Sequence, residues 1–285
     1  MRTLRTISEL RAALREPRHA GRTIGLVPTM GSFHAGHLSL MHRAREECDE
    51  VVVSLFVNPT QFDQAVDLRR YPRDEATDAA LASDAGVDYL FAPAVAEMYP
   101  SGFSTTVSVS GITETLEGEH RGRSHFDGVV TVVTKLFNIV QADVAYFGQK
   151  DAQQALVIRR LVRDLDLPLR VEICPTVREP DGLALSSRNA HLSPDERTRA
   201  LAISRALKTA ETAVATGERD AAKVVGAARA QMTSDGVEPE YLELVSPDTL
   251  APVYTIDEDV LVVVAAQVGA TRLIDNEIMA TNGSS

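Results

Sequence analysis

The sequence predicts an α/β fold, a parallel sheet flanked by helices, followed by a smaller α+β domain. Three observations predict it. Short apolar runs at 24–27 and 51–57 alternate with segments of helical periodicity. The run at 51–57 is broken by a single serine, as in a central strand buried on both faces. From about residue 177 the pattern changes to two helices and then strands, the last two hairpin-like. The two parts are placed at 1–176 and 177–285.

Taken in order, residues 7–16 read as a short helix with Leu10 and Leu14 on one side, ended by Arg18-His19-Ala20-Gly21. The first strand is 24–27. Leu38, Leu40, Met41 and Ala44 give a helical stripe as far as Glu47, and 51–57 is the next strand. Strand, helix and strand in succession make a βαβ unit with a right-handed crossover. Asn58-Pro59-Thr60-Gln61-Phe62 therefore sits at a carboxyl end, where open α/β sheets bind ligands. A helix at 74–85 and a strand at 89–92 follow. Residues 105–109 alternate, as an outlying strand or a hairpin arm would. The polar stretch 111–125, with Arg121, Arg123 and His125, reads as a loop over the site. Residues 129–140 are apolar nearly all round and form a buried helix. The strand at 144–147 ends at Gly148, Gln149-Lys150-Asp151 opens a helix to Leu165, and 169–174 is a strand closed by Pro175. In the second part, 183–189 is extended into a loop. Ser193-Pro194-Asp195-Glu196 is a helix start, with the serine as cap, and that helix runs to Thr216. A further helix at 220–233 and strands at 241–245, 260–268 and 271–274 complete it. Residues 281–285 are expected as a disordered tail.

The 285 residues suffice for a real core. A net charge of −11 argues against a sequence-independent nucleic-acid binder, which needs a basic face. No apolar run reaches spanning length and no signal-like segment follows Met1, so a cytoplasmic protein without a membrane partner is expected. Cys48 and Cys174 lack metal-like or redox-like spacing and are expected as buried free thiols.

The stretch 24–40 carries the first chemistry. An apolar run leads through Pro28-Thr29-Met30-Gly31 to His34-Ala35-Gly36-His37 at the start of a helix. A helix N-terminus offers unpaired N–H groups and a positive dipole end, so two imidazoles there suit a polyphosphate. Zinc is a second reading of the histidines, but no third ligand stands at a recognisable spacing.

Here the sequence resembles the HxGH nucleotidyltransferase superfamily, whose sheet is Rossmann-like. The resemblance narrows to the pantothenate synthetase (pantoate–β-alanine ligase) family through further stretches in the family's order. These are Phe56-Val57-Asn58-Pro59-x-Gln61-Phe62, Tyr71-Pro72-Arg73, His125-Phe126-x-Gly128-Val129, Phe147-Gly148-x-Lys150-Asp151-x-Gln153-Gln154 and Ser186-Ser187-Arg188-Asn189. The resemblance implies ATP-dependent condensation of pantoate with β-alanine through a pantoyl adenylate. The 1–176 part then binds nucleotide and pantoate, and 177–285 is a lid.

By resemblance, His34, His37, Lys150, Ser186, Ser187 and Arg188 carry the catalysis. Charge collecting on phosphorus and pyrophosphate calls for cations and aimed donors of this kind. ATP is expected against these residues and against Pro28, Thr29, Met30, Gly36, Gly148, Asp151, Val177 and Leu185. Pantoate is expected at Met30, Asn58, Gln61 and Gln154, whose amides suit a ligand with hydroxyls and a carboxylate. Asp78 stands where the family has a magnesium-associated acid, with Mg2+ entering mostly on the ATP phosphates. Tyr71 and His125 stand at the site's edge, and a homodimer through the larger part is implied. Ala35, Ser124, Gln149, Ala152 and Leu185 depart from the commonest family pattern; none removes a charge assigned to phosphate. The rival readings are another HxGH nucleotidyltransferase, a silent nucleotide-binding protein of this fold, and an RNA-charging synthetase, which would need a basic surface.

Overall fold

The computed structural model describes residues 1–62 and 65–281, apart from the side chains of Ala65 and Asp67. The chain divides into two compact units. One comprises Met1–Gly148 and Gln153–Pro175; the other comprises Gln149–Ala152 and the chain from Thr176 onward.

The first unit runs β1 (Arg2–Leu4), α1 (Ile7–His19), β2 (Ile24–Thr29), α2 (Ala35–Glu47), β3 (Glu50–Leu55), α3 (Ala65–Arg70), α4 (Glu75–Asp84), β4 (Tyr89–Phe91), α5 (Val95–Met98), α6 (Glu117–Arg121), α7 (Arg123–Val140), β5 (Val144–Gly148), α8 (Ala152–Asp164) and β6 (Arg170–Cys174). The strands form one parallel sheet in the order β1-β4-β3-β2-β5-β6, as the βα alternation predicts. The chain winds outward from β2 to β3 and β4, then restarts at β5 on the other side of β2. The switch point therefore lies between β2 and β5, where doubly wound sheets bind ligands. β5 pairs with β2 only at Gly25 and Leu26. Pro28, which has no N–H to give a ladder, falls beyond that pairing, so the strands part toward their carboxyl ends.

Helix α1 is capped by Thr6 and Glu9 in a capping box and buries Leu10 and Leu14 completely. α7 begins six residues before the expected 129, because its first turns also pack: Phe126 and Gly128 are buried. Several stretches differ from the sequence reading, α3 and α5 among them, which have no counterpart in it. Residues 105–109 form no strand; Val107 N–H donates to Thr131 Oγ1 of α7 at 2.9 Å, so a helix side chain takes the bond a sheet would have made. The stretch 111–125 is not an open loop: it contains α6 and the first turn of α7, with Ile112, Thr113 and Glu117 buried. β1 has no counterpart in the sequence reading, being three residues with two charged or polar ones; it exists by pairing with β4.

The second unit contains α9 (Pro194–Ala215), α10 (Ala221–Ser234) and an antiparallel sheet of β7 (Pro239–Val245), β8 (Val260–Val268) and β9 (Thr271–Met279). Its core is aliphatic, from Ala202, Ile203 and Leu207 of α9 to Val262 and Val264 of β8. β9 runs five residues past the expected end at Ile274. Asp275 and Asn276 read as a strand terminus, yet both are buried in the strand. Thr281 N–H donates to Asp259 Oδ1 at 3.1 Å; the rest of the expected tail lies outside the described residues. Both cysteines are buried free thiols, and burial pushes the Cys174 thiol up to about 11. Among the described residues no helix is long and apolar enough to cross a membrane.

Candidate active site

In the first unit, the carboxyl end of β2 opens into the turn before α2. Thr29 anchors it: Thr29 Oγ1 donates to Ser54 O at 2.6 Å and accepts from Gly31 N at 3.3 Å. Gly31 and Ser32 both have positive φ, +90° and +57°. The Asp78 carboxylate reaches up from α4 and accepts from Ser32 N at 2.8 Å and Phe33 N at 2.7 Å.

His34 then caps α2 in place of the usual serine or aspartate. Its Nδ1 accepts from Gly36 N at 3.1 Å, and His34 N donates to His37 Nδ1 at 3.4 Å, a capping box built from imidazoles. An accepting Nδ1 carries no proton, so the neutral tautomer of each ring bears its proton on Nε2. The rings stand 4.2 Å apart between centroids, tilted by 44°. No acid occupies the first turn of α2, so the positive end of the helix is not offset by its own side chains.

The turn after β3 is also cross-braced. Asn58, 1% exposed, donates through Nδ2 to Gln61 Oε1 at 2.9 Å and Gly128 O at 3.1 Å. Its Oδ1 accepts from Thr60 Oγ1 at 2.9 Å and Tyr99 OH at 2.8 Å. Asn58 is thus committed to the scaffold and orients the Gln61 amide, with Gln61 Nε2 as the remaining donor end. His125 Nδ1 lies 2.8 Å from Gln61 O, and Tyr71 stacks edge-on to Phe62 at 5.7 Å. Gly128 lets α7 come this close: a Cβ there would stand 2.4 Å from Thr60 O.

Gln154 is half-buried and makes no side-chain hydrogen bond among the described residues. Its neighbour Gln153 is wholly engaged. It accepts from Glu117 N at 2.9 Å and donates to Ile112 O at 2.7 Å and Thr115 O at 2.8 Å, pinning the stretch before α6. Sequence reasoning gives Gln153 no role, although it stands inside the motif that carries Lys150 and Gln154.

In the second unit, Gln149–Asp151 forms a turn of 3₁₀ helix. Asn276 Nδ2 donates to the Gln149 and Lys150 carbonyls at 2.9 Å each. Lys150 Nζ has Asp151 Oδ1 at 3.6 Å. Lys150, Ser186 and Arg188 line one small cavity together with Asn189, Arg272 and Asp275. Ser186 Oγ caps the 3₁₀ turn Ser187–His191 by accepting from Arg188 N at 3.3 Å. Leu185 N–H donates to Val177 O at 2.9 Å, closing the hairpin that leads into that turn. Beneath it Arg178 pairs with Asp275 at 2.6 Å and Glu277 at 3.0 Å. Burial pushes the Asp275 carboxyl upward against the pull of Arg178. Of the expected phosphate group, then, His34 and His37 are neighbours in the first unit, and Lys150, Ser186 and Arg188 are neighbours in the second.

The pantoate–beta-alanine ligase family model matches residues 2–278. A pantothenate synthetase of Koribacter versatilis is 51% identical over 285 residues, all of this chain and 98% of that protein. One of Pelotomaculum thermopropionicum is 53% identical over 96% of this chain and 97% of that one. Among solved structures, pantothenate synthetase from Thermus thermophilus superposes with a TM-score of 0.91 at 48% identity, over 97% of this chain and 99% of that one. The ligase of Francisella tularensis, solved with Beta-gamma ATP and beta-alanine, gives a TM-score of 0.79 at 33% identity, over 98% and 97%.

Proposed function

The chain belongs to the pantoate–β-alanine ligase family and is a pantothenate-forming ligase, and we propose that it works through an adenylate. In the first step a pantoate carboxylate oxygen attacks the α-phosphorus of ATP. The bond from that phosphorus to the bridging oxygen breaks, and pyrophosphate leaves with the electron pair. In the second, the free amine of β-alanine attacks the acyl carbon. The acyl–oxygen bond breaks, AMP departs, and the amine's proton goes to solvent.

The observation that carries this reading is the pair of imidazoles at the start of α2. Their Nδ1 atoms accept backbone N–H groups, which fixes each neutral ring with its N–H on Nε2, the kind of donor that suits oxygens gaining charge. Such preorganised donors stabilise a phosphoryl transition state without reorganising. We assign Lys150, Ser186, Ser187 and Arg188 to the same phosphates. Pro28, Thr29, Met30, Gly36, Gly148, Asp151, Val177 and Leu185 are assigned to the rest of ATP. Pantoate falls to Met30, Gln61 and Gln154, with Asn58 holding Gln61. Residues 1–176 bind nucleotide and pantoate, and 177–285 serve as the lid, which carries Ser186, Ser187 and Arg188. The second step needs little more than a trapped adenylate and a placed amine, so proximity and water exclusion dominate it. Magnesium enters on the ATP phosphates, since it dehydrates reluctantly. We further propose a cytoplasmic homodimer that joins through the first unit.

Pantoate-dependent ATP–pyrophosphate exchange without β-alanine tests the adenylate. Exchange is expected. Its absence in folded protein that still makes pantothenate would replace the adenylate with a concerted reaction.

A further inference from the structure

Asp78 has a place in the fold that does not fit a metal ligand. Its carboxylate is 3% exposed, and its two oxygens each hold a backbone N–H, from Phe33 on Oδ1 and from Ser32 on Oδ2. Among the described residues no group of three or more histidines, cysteines, aspartates or glutamates could hold an ion with it. Magnesium demands near-octahedral oxygen ligands and keeps several waters, which a carboxylate sealed beneath a turn does not accommodate.

We propose instead that Asp78 is a positioning residue for His34 and His37. The turn it grips needs an outside hold. Gly31 and Ser32 take positive φ in succession, and for serine that conformation is strained, because its Cβ crowds the following carbonyl oxygen. Successive N–H groups in such a turn point to one side and make an anion-binding concavity. Here the protein fills that concavity with its own carboxylate through two charge-assisted bonds. The fit is close: a Cβ on Gly31 would stand 2.8 Å from Asp78 Oδ2 and 2.6 Å from Leu55 Cδ1. The next residue after Phe33 is His34, whose N–H fixes the His37 ring. Moving the turn therefore moves both imidazoles. The negative charge of Asp78 is spent on the turn, some 45 residues away in the chain, and is not presented to a ligand.

The proposal rests on the reading that the two imidazoles serve adenylation, and two measurements separate them. In the wild-type protein, amide exchange should show Ser32 and Phe33 strongly protected, and Mg2+ without ATP should leave that protection unchanged. This readout needs no variant and no activity. In Asp78→Asn and Asp78→Ala, pyrophosphate exchange should fall about 100-fold, the loss expected when reacting groups are displaced by about an ångström. The Mg2+ concentration giving half-maximal rate should stay put, and excess Mg2+ or Mn2+ should not restore the rate. Restoration by metal, a shifted Mg2+ midpoint, unprotected Ser32 and Phe33 amides, or wild-type exchange rates in the folded variants would each overturn the proposal. If His34→Ala exchanged at the wild-type rate, the reading of the imidazoles would fall, while the amide protection would still report on the clamp.

Discussion

The turns assigned to phosphate are held in opposite ways in the two units. Before α2, the scaffold meets N–H groups with acceptors: Asp78 takes those of Ser32 and Phe33, and Thr29 takes that of Gly31. At Gln149–Asp151 it meets carbonyls with a neutral amide donor, Asn276 giving to Gln149 and Lys150, and at Ser187–His191 the turn's own Asn189 gives to Ala184 O and Glu179 Oε1. A carboxylate used as scaffold would oppose a polyphosphate, so it is buried. A neutral amide adds no charge, so it can sit beside Lys150 without neutralising it. The comparison teaches that the turn before α2 is a frame for imidazole donors, whereas the turns of the second unit carry fixed positive charge on Lys150 and Arg188.

The largest expected effect separates these roles. Lys150→Ala should slow pyrophosphate exchange by about 100- to 1,000-fold, the range for losing one aimed donor in a transition state. The melting temperature should move little, because Arg178 still pairs with the buried Asp275 and the turn is held through its backbone. An equal fall in melting temperature would mean that Lys150 belongs to the frame, and the contrast between the two units would break.

Gly128→Ala should do the reverse. Its new Cβ would meet Thr60 O at 2.4 Å and Gln61 N at 2.7 Å, backbone atoms that cannot swing aside. Overpacking of this kind costs about 1–3 kcal/mol. The melt should shift down measurably, with the pantoate KM rising because the Asn58–Gln61 brace moves with the turn. Unchanged stability would show that α7 can slide away, and that the frame is softer than its hydrogen bonds suggest.

How much of this is legible in the sequence follows from distance along the chain. Strand–helix alternation is local, so periodicity reveals the parallel sheet and most of its strands. His34, His37 and Ser186–Arg188 stand in motifs a few residues long. The braces are not legible, because their partners lie far off: Asp78 acts over 45 residues, Gln153 over 36 to 41, and Asn276 over 126 and 127. Their types also mislead. A polar pair in a strand reads as its end, and β9 continues through Asp275 and Asn276 because both are bonded in the interior. The alternating stretch at 105–109 fails as a strand for the complementary reason, its bond being taken by Thr131 of α7.

The smallest effect is the finest test of the frame. Asn58 fixes one end of the Gln61 amide through Oε1, so only the Nε2 end is left to a ligand. Gln61→Ala removes that donor and leaves the Asn58 amide with Gly128 O as its remaining acceptor. A net hydrogen bond contributes about 0.5–1.5 kcal/mol, so pantoate should bind up to about tenfold more weakly. ATP binding, measured by calorimetry without pantoate, should be unaffected, because the backbone bond that joins the two turns, from Phe56 N–H to Thr29 O at 3.1 Å, does not involve the Gln61 side chain. A loss confined to ATP would take Gln61 out of the pantoate set. An equal loss for both ligands would show that the two turns of the first unit move as one, and the frame would then extend across β2 and β3 rather than stop at each strand end.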